Sequence, residues 1–280
     1  MELTVSNVKK TFGTTVALDI NTFVIHSGDL LGLVGNNGAG KTTLFRIILD
    51  LLKPDSGEAV MSGKVGEEMV SYATSKCEDW KDYTGAYIDN GFLIDYLTPE
   101  EYFYFIGKVC GIDRSVVDER LLRFEHFMNG EVLNQNKLIR DLSAGNQQKV
   151  GIIGAMINNP QLLILDEPFN FLDPSSQIAI KYILEQYNKE TGATILISSH
   201  NLTHTIDICS RITLLEHGVI LKDYSKEYAN LTAEIDAYFR GEAIDTQTAS
   251  SEIKSLEIHE TSTVYVVEGQ HTEEHQIPTT

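Results

Sequence analysis

Cysteine is scarce in this chain: Cys77, Cys110 and Cys209 are the whole complement, an odd, scattered set without the spacing of a metal site or a disulfide frame. That scarcity suits a reducing compartment and predicts buried thiols. Long apolar runs are missing as well. The longest, Ile152 to Ile157 and Leu162 to Leu165, fall far short of the roughly 18 to 20 residues that a membrane-crossing helix requires, so the chain is not expected to cross a bilayer itself. It does not open with a basic region, an apolar segment and a small-residue cleavage site, which predicts a cytoplasmic location. Positive charge is short too, with 22 Lys and Arg against 40 Asp and Glu, net −18. That balance argues against nucleic-acid binding, because phosphate affinity rests on basic surfaces. The acidic bias is strongest over 221–280, where 4 Lys and Arg face 12 Asp and Glu. What remains, 42% hydrophobic residues over 280 positions, is enough to bury one large core or two small ones.

The most specific feature present is GNNGAGKT, running from Gly35 through Asn36, Asn37, Gly38, Ala39, Gly40 and Lys41 to Thr42, with Thr43 following. An apolar run (Leu30, Leu31, Leu33, Val34) precedes it and an apolar-periodic stretch (Leu44, Phe45, Ile47, Ile48, Leu51) follows, which reads as strand, loop, helix. Nucleotide phosphates need several backbone N–H groups converging on one point. Gly35, Gly38 and Gly40 allow that curl, and the helix N-terminus adds positive potential. Lys41 can then reach the β- and γ-phosphates, and the Thr42 hydroxyl can ligate Mg²⁺.

Before this loop, short β-branched runs broken by Gly13 and by Ser27-Gly28-Asp29 suggest hairpins and an antiparallel flank. The helix after Gly40 is expected to stop near Leu52, ahead of Pro54, with a strand around Glu58 to Met61. Thr98-Pro99-Glu100-Glu101 is a helix start signal, and residues 92–158 read as a helical insert. Leu162 to Leu165 and Thr194 to Ser198 read as buried parallel strands joined by the amphipathic stretch Ser175 to Tyr187, a βαβ crossover. Later, Leu231 to Phe239 is a helix candidate and Thr263 to Val267 a β-like stretch within a loosely held segment, 244–280.

LLILDEP, Leu162 to Pro168, ends its buried strand in two carboxylates. Asp166 suits a Mg²⁺ ligand, and Glu167 can face the γ-phosphate and polarise a water. Upstream, Leu142-Ser143-Ala144-Gly145-Asn146-Gln147-Gln148 opens a long helix with Ser143 as a natural N-cap, another helix end able to hold an anion. This segment resembles the LSGGQ signature of the ATP-binding cassette (ABC) family. Leu172-Asp173-Pro174 falls at that family's D-loop, and His200, after ILISS, at its switch histidine. The ordered motifs span roughly residues 2–225.

The resemblance implies an α/β fold: a P-loop NTPase core with a mainly parallel sheet, an antiparallel β flank and a helical subdomain. The nucleotide-binding domain would occupy 1–228, and 229–280 would be an acidic, partly flexible extension. It further implies a head-to-tail dimer, homomeric or heteromeric, that sandwiches two ATP molecules, each between one chain's glycine loop and the other's Ser143, Ala144, Gly145 and Asn146. Carried over by position, Phe12 stacks on adenine, Lys41 and Thr42 serve phosphates and Mg²⁺, Asp166 the metal, Glu167 is the general base and His200 meets the γ-phosphate. Asp89 stands where the family commonly has a metal-approaching glutamine, and a carboxylate can ligate a metal but cannot donate a hydrogen bond. Ala144, Asn146 and Phe171 also depart from the family's usual residues.

The implied function is the ATPase subunit of a transporter, peripheral on the inner face of the membrane beside a separate transmembrane permease. In the family this chain resembles, the groove between insert and core receives short helices of the membrane subunit, which makes Asp89 to Phe105 the expected docking surface; the run Tyr102, Phe103, Tyr104, Phe105 covers too much helix circumference to face one core alone. The segment FLIDYLTPE, Phe92 to Glu100, loosely resembles the sequence around the docking groove in exporter-type cassettes, which leans the expectation toward export. A soluble cassette that powers assembly without membranes shares every motif, and a regulatory module with weakened hydrolysis is a third class.

Overall fold

The computed structural model describes residues 1–225 and Glu234. The expectations for Leu231 to Phe239, Thr263 to Val267 and the acidic extension lie outside the described residues.

Two sheets carry the fold. The first is antiparallel, ordered β2-β1-β4-β5, and comprises β1 (Glu2–Phe12), β2 (Thr15–Ile25), β4 (Ser56–Val65) and β5 (Glu68–Ala73). The second has six strands ordered β10-β9-β3-β8-β7-β6. Its members are β3 (Leu30–Val34), β6 (Thr84–Tyr87), β7 (Leu162–Leu165), β8 (Thr194–Ser199), β9 (Arg211–Glu216) and β10 (Val219–Ser225). All its pairings are parallel except β9 with β10. The helices are α1 (Lys41–Ile48), α2 (Pro99–Val109), α3 (Arg114–Leu122), α4 (Glu125–Met128), α5 (Ala144–Met156), α6 (Pro174–Thr191) and α7 (Leu202–Ile208).

The parallel strands are apolar on both faces because both faces are covered, and successive side chains divide between two cores with the period of two that a strand imposes. Leu163 and Leu165 of β7 and Ile195 and Ile197 of β8 join α5 and α6 in one core. Leu162 and Ile164, with Leu196, join α1 and the antiparallel sheet in the other.

Helix starts follow their caps. Thr98 and Glu101 form a reciprocal capping box with Pro99 at the first turn, and Asp173 accepts from the Ser175 and Ser176 N–H groups ahead of Pro174.

Three expectations are corrected. Only the break at Gly13 turns a hairpin; Ser27-Gly28-Asp29 instead carries the chain from β2 to β3 in the other sheet. Helix α1 ends at Ile48, not near Leu52, because Asp50 turns left-handed (φ 52°) and the Leu51 and Leu52 N–H groups fold back onto the Arg46 carbonyl, at 2.8 and 3.0 Å. Of the three thiols only Cys209 is buried; Cys110 is exposed. The aromatic run of α2 divides as its circumference requires, with Phe103 buried and Phe105 exposed. No described helix is long and apolar enough to cross a membrane.

Candidate functional site

Strands β3 and β7 both flank β8, in register Val34 with Ser199 and Leu165 with Ile197. Their carboxyl ends therefore deliver the glycine loop, Asp166-Glu167 and His200 to one edge of the sheet, the position at which open α/β sheets bind ligands.

The loop is tightly seated. A Cβ on Gly35 would come within 2.2 Å of the Leu215 carbonyl oxygen, and one on Gly40, which caps α1 at φ 110°, within 2.7 Å of the Ala17 carbonyl. Only glycine fits such approaches. Ala39 is buried and its N–H closes the turn onto the Asn36 carbonyl (3.0 Å), whereas Asn36, Asn37 and Gly38 are exposed. Thr43 is half-buried in the first turn of α1.

Lys41 is only 6% exposed. Its Nζ donates to the carbonyls of Gly35 (2.7 Å) and Asn36 (3.3 Å) and lies 3.6 Å from Glu167 Oε1. The Thr42 hydroxyl donates to Asp166 Oδ2 at 2.5 Å, and the Ser198 hydroxyl donates to Asp166 Oδ1. Burial pushes the Asp166 carboxyl above its ordinary range, opposed by the Ser198 and Thr42 hydrogen bonds. Glu167 adopts the left-handed conformation (φ 49°), which is costly for a side-chain-bearing residue and recurs at functional sites. Its N–H donates to Ser198 Oγ (2.9 Å), and its Oε2 accepts from the His200 N–H (3.3 Å) and lies 2.8 Å from His200 Nδ1. One Glu167 oxygen thus faces the lysine and the other the histidine.

Asp166 and Thr42 present a carboxylate and a hydroxyl to one point, an all-oxygen set that fits Mg²⁺, which takes one or two protein ligands and completes its shell from phosphate and water. Asp89 Oδ1 accepts from the Gly91 N–H (2.7 Å) and its Oδ2 from Arg46 (3.2 Å). Phe12 is 52% exposed at the end of β1, with Lys10 Nζ 5.6 Å from its ring centre, so it is not core filling.

The signature-like residues stand apart from this cluster. Ser143 caps α5 by accepting from the Asn146 N–H (3.3 Å). With Ala144, Gly145, Phe171 and Asp173 it lines a separate cleft of about 410 Å³. A Cβ on Gly145 would meet the Phe171 carbonyl at 2.6 Å, so the helix end and the turn before Asp173 are pressed together. Phe171 is itself left-handed (φ 59°) and 71% exposed.

Sequence reasoning missed Ser198, which bridges Asp166 and Glu167, and Arg46, which holds Asp89. Only the lateral register of β7 with β8, which the local sequence does not carry, sets Ser198 beside Asp166.

A family model described as ABC transporter matches residues 18–170. An uncharacterized ABC transporter ATP-binding protein of Methanocaldococcus jannaschii is 32% identical over 222 residues, covering 78% of this chain and 75% of that protein. The tungstate uptake system ATP-binding protein of Peptoclostridium acidaminophilum is 32% identical over 218 residues, covering 78% of this chain and 96% of its own. Among solved structures, a dimeric ATP-binding cassette in a post-hydrolysis state bound to ADP and Pi superposes with a TM-score of 0.65 at 25% identity, over 80% of this chain and 99% of that one.

Proposed function

The chain belongs to the ABC transporter family and is an ATP-binding ATPase of that family, and from this membership we propose that it powers a membrane transporter as a head-to-tail pair beside a separate transmembrane permease. One observation carries the reading. Lys41, Thr42, Asp166, Glu167 and His200 converge at one sheet edge, while Ser143 and Gly145 line a different cleft of the same chain. A second copy, or a close cousin, would bring its Ser143 helix end over the first chain's glycine loop. The site would then be complete only between chains.

In that site Phe12 stacks on the adenine, and the N–H groups from Asn36 to Thr43 cradle the phosphates. Lys41 exchanges its loop carbonyls for phosphate oxygens. Thr42 and Asp166 are the residues that would hold Mg²⁺, whose chemistry when bound is neutralisation of β- and γ-phosphate charge. Glu167 takes a proton from the attacking water, with His200 fixing its Oε2. The partner's Ser143, Ala144, Gly145 and Asn146 meet the γ-phosphate from the other side. ATP therefore favours the closed pair and its hydrolysis products do not, which makes cleavage an opening switch.

The permease would dock in an apolar groove of about 250 Å³ lined by Leu51, Trp80, Tyr87, Ile88, Phe92 and Leu93. This groove overlaps the Asp89 to Phe105 segment and would hold the chain on the inner face of the membrane. The expectation of export rests on FLIDYLTPE alone, whereas the tungstate relative is an uptake protein.

Because each site needs two chains, ATPase activity per chain should climb with protein concentration and level off once pairing saturates. A flat profile for a chain shown by sedimentation to be monomeric throughout would reject the shared site.

A further inference from the structure

The docking groove and the backbone of Glu167 are joined by a short chain of side-chain hydrogen bonds. Tyr87, at the end of β6, lines the groove with one edge of its ring and packs on Gly151, where a Cβ would come within 2.1 Å of ring carbon Cε2. Its hydroxyl reaches Gln148 Oε1 at 2.8 Å. Gln148, one turn before Gly151 on α5 and buried, donates from Nε2 to the backbone carbonyl of Glu167 at 3.0 Å.

The Tyr87 hydroxyl also reaches Asn90 Oδ1, on the loop after β6. The network fixes both amide orientations. Gln147 Nε2 is committed to the carbonyls of Ile139, Arg140 and Leu142, so Gln147 offers only its oxygen to Asn90 Nδ2, at 3.2 Å. Asn90 must then turn its own oxygen to Tyr87. Gln148, with Nε2 on Glu167, does the same. A phenol carries one proton, and burial keeps Tyr87 protonated by raising it well above the ordinary tyrosine value. Two acceptors therefore compete for a single donor, one on the groove side and one on the catalytic side.

We infer that Tyr87 and Gln148 are positioning residues for hydrolysis: the Tyr87 proton, when it serves Gln148, locks the amide that holds the left-handed backbone of Glu167, and when it serves Asn90 it releases that hold. A permease segment seated in the groove would meet Tyr87 and Phe92, which line it, so occupancy of the groove sets which acceptor wins. The inference rests on Glu167 being the base.

The test is steady-state MgATP hydrolysis by the full chain, with ATP affinity measured by calorimetry. Tyr87→Phe keeps the ring and its packing on Gly151 but removes the proton. It should lower kcat about 3- to 10-fold, the scale of one hydrogen bond, and leave the Kd for ATP within about twofold. Gln148→Met, similar in volume, should lower kcat comparably, and the double variant should fall no further than the worse single one, because both cut the same link. Additive losses, an unchanged kcat in Tyr87→Phe, or a parallel loss of ATP affinity and melting temperature would each overturn the relay. Glu167→Gln in the same assay separates the two readings. If it turns over like the parent, the base assignment itself fails; if it is inactive while Tyr87→Phe is unimpaired, the relay alone fails.

Discussion

Replacing Glu167 by Gln conserves shape and removes one negative charge from a site where two partners face it. Lys41 Nζ stands 3.6 Å from one oxygen and His200 Nδ1 stands 2.8 Å from the other. At an effective dielectric of 20 the lysine attraction amounts to about 4 to 5 kcal/mol gross, most of it offset by the desolvation of both groups. Without ATP, then, Glu167 competes with phosphate for Lys41, and the variant relieves that competition. Binding of ATP should be retained or strengthened. Turnover should fall by about 10²- to 10⁴-fold, the usual contribution of a general base, which corresponds to about 3 to 5 kcal/mol of transition-state stabilisation. The expected state is an ATP-loaded, closed pair, visible as a shift in sedimentation on adding MgATP. Single-turnover kinetics measure the chemical step directly. Hydrolysis within threefold of the parent would refute the reasoning, as would a loss of ATP affinity; the latter is the expected signature of Lys41→Ala, which removes the phosphate ligand itself.

Two further outcomes follow from the same geometry. Burial raises the Asp166 carboxyl above its unfolded value, so its contribution to stability is full below the unfolded pKa and is lost as pH rises through the folded one; at pH 7 the ionised group is a net cost. Asp166→Asn should therefore melt higher than the parent at pH 7, with the gap closing toward pH 4, and should lose Mg²⁺-dependent hydrolysis; a lower melting temperature at neutral pH would contradict this. Gly145→Ala places a methyl 2.6 Å from the Phe171 carbonyl, which must displace the turn leading into Asp173. It should reduce hydrolysis several-fold with ATP affinity unchanged, by the same calorimetric assay, since the strand-edge cluster is untouched.

The sequence made the cradle legible because its chemistry is local. Strand, glycine loop and helix are consecutive, although the approaches that exclude a Cβ, Gly35 on the Leu215 carbonyl and Gly40 on the Ala17 carbonyl, come from elsewhere in the chain. The carboxylate pair was legible for the same reason, as the end of an apolar strand. What escaped was decided by lateral register. Ser198 reaches Asp166 only because β8 lies beside β7 with Leu165 opposite Ile197, a pairing of residues far apart in the chain. Asp89 was read from its position as a metal candidate, and its partner Arg46 comes from the last turn of α1, a juxtaposition that no spacing reveals. The early end of α1 has a different cause: Asp is among the few side-chain-bearing residues that visit the left-handed region, but Pro54 drew the boundary too far along. The two faces of β7 could not be told apart from an unbroken apolar run, since alternation carries no signal when both sides are covered.

That double coverage has a price for variation. Every side chain of β7 belongs to one of two cores, and the strand leads directly into Asp166. Inserting or deleting a single residue between Leu162 and Leu165 would swap the allegiance of each leucine and isoleucine while sliding the acid off the rim where Thr42 and Ser198 await it. Length changes are better tolerated in loops away from both the central strands and α5, because Gln148 of that helix reaches the Glu167 carbonyl.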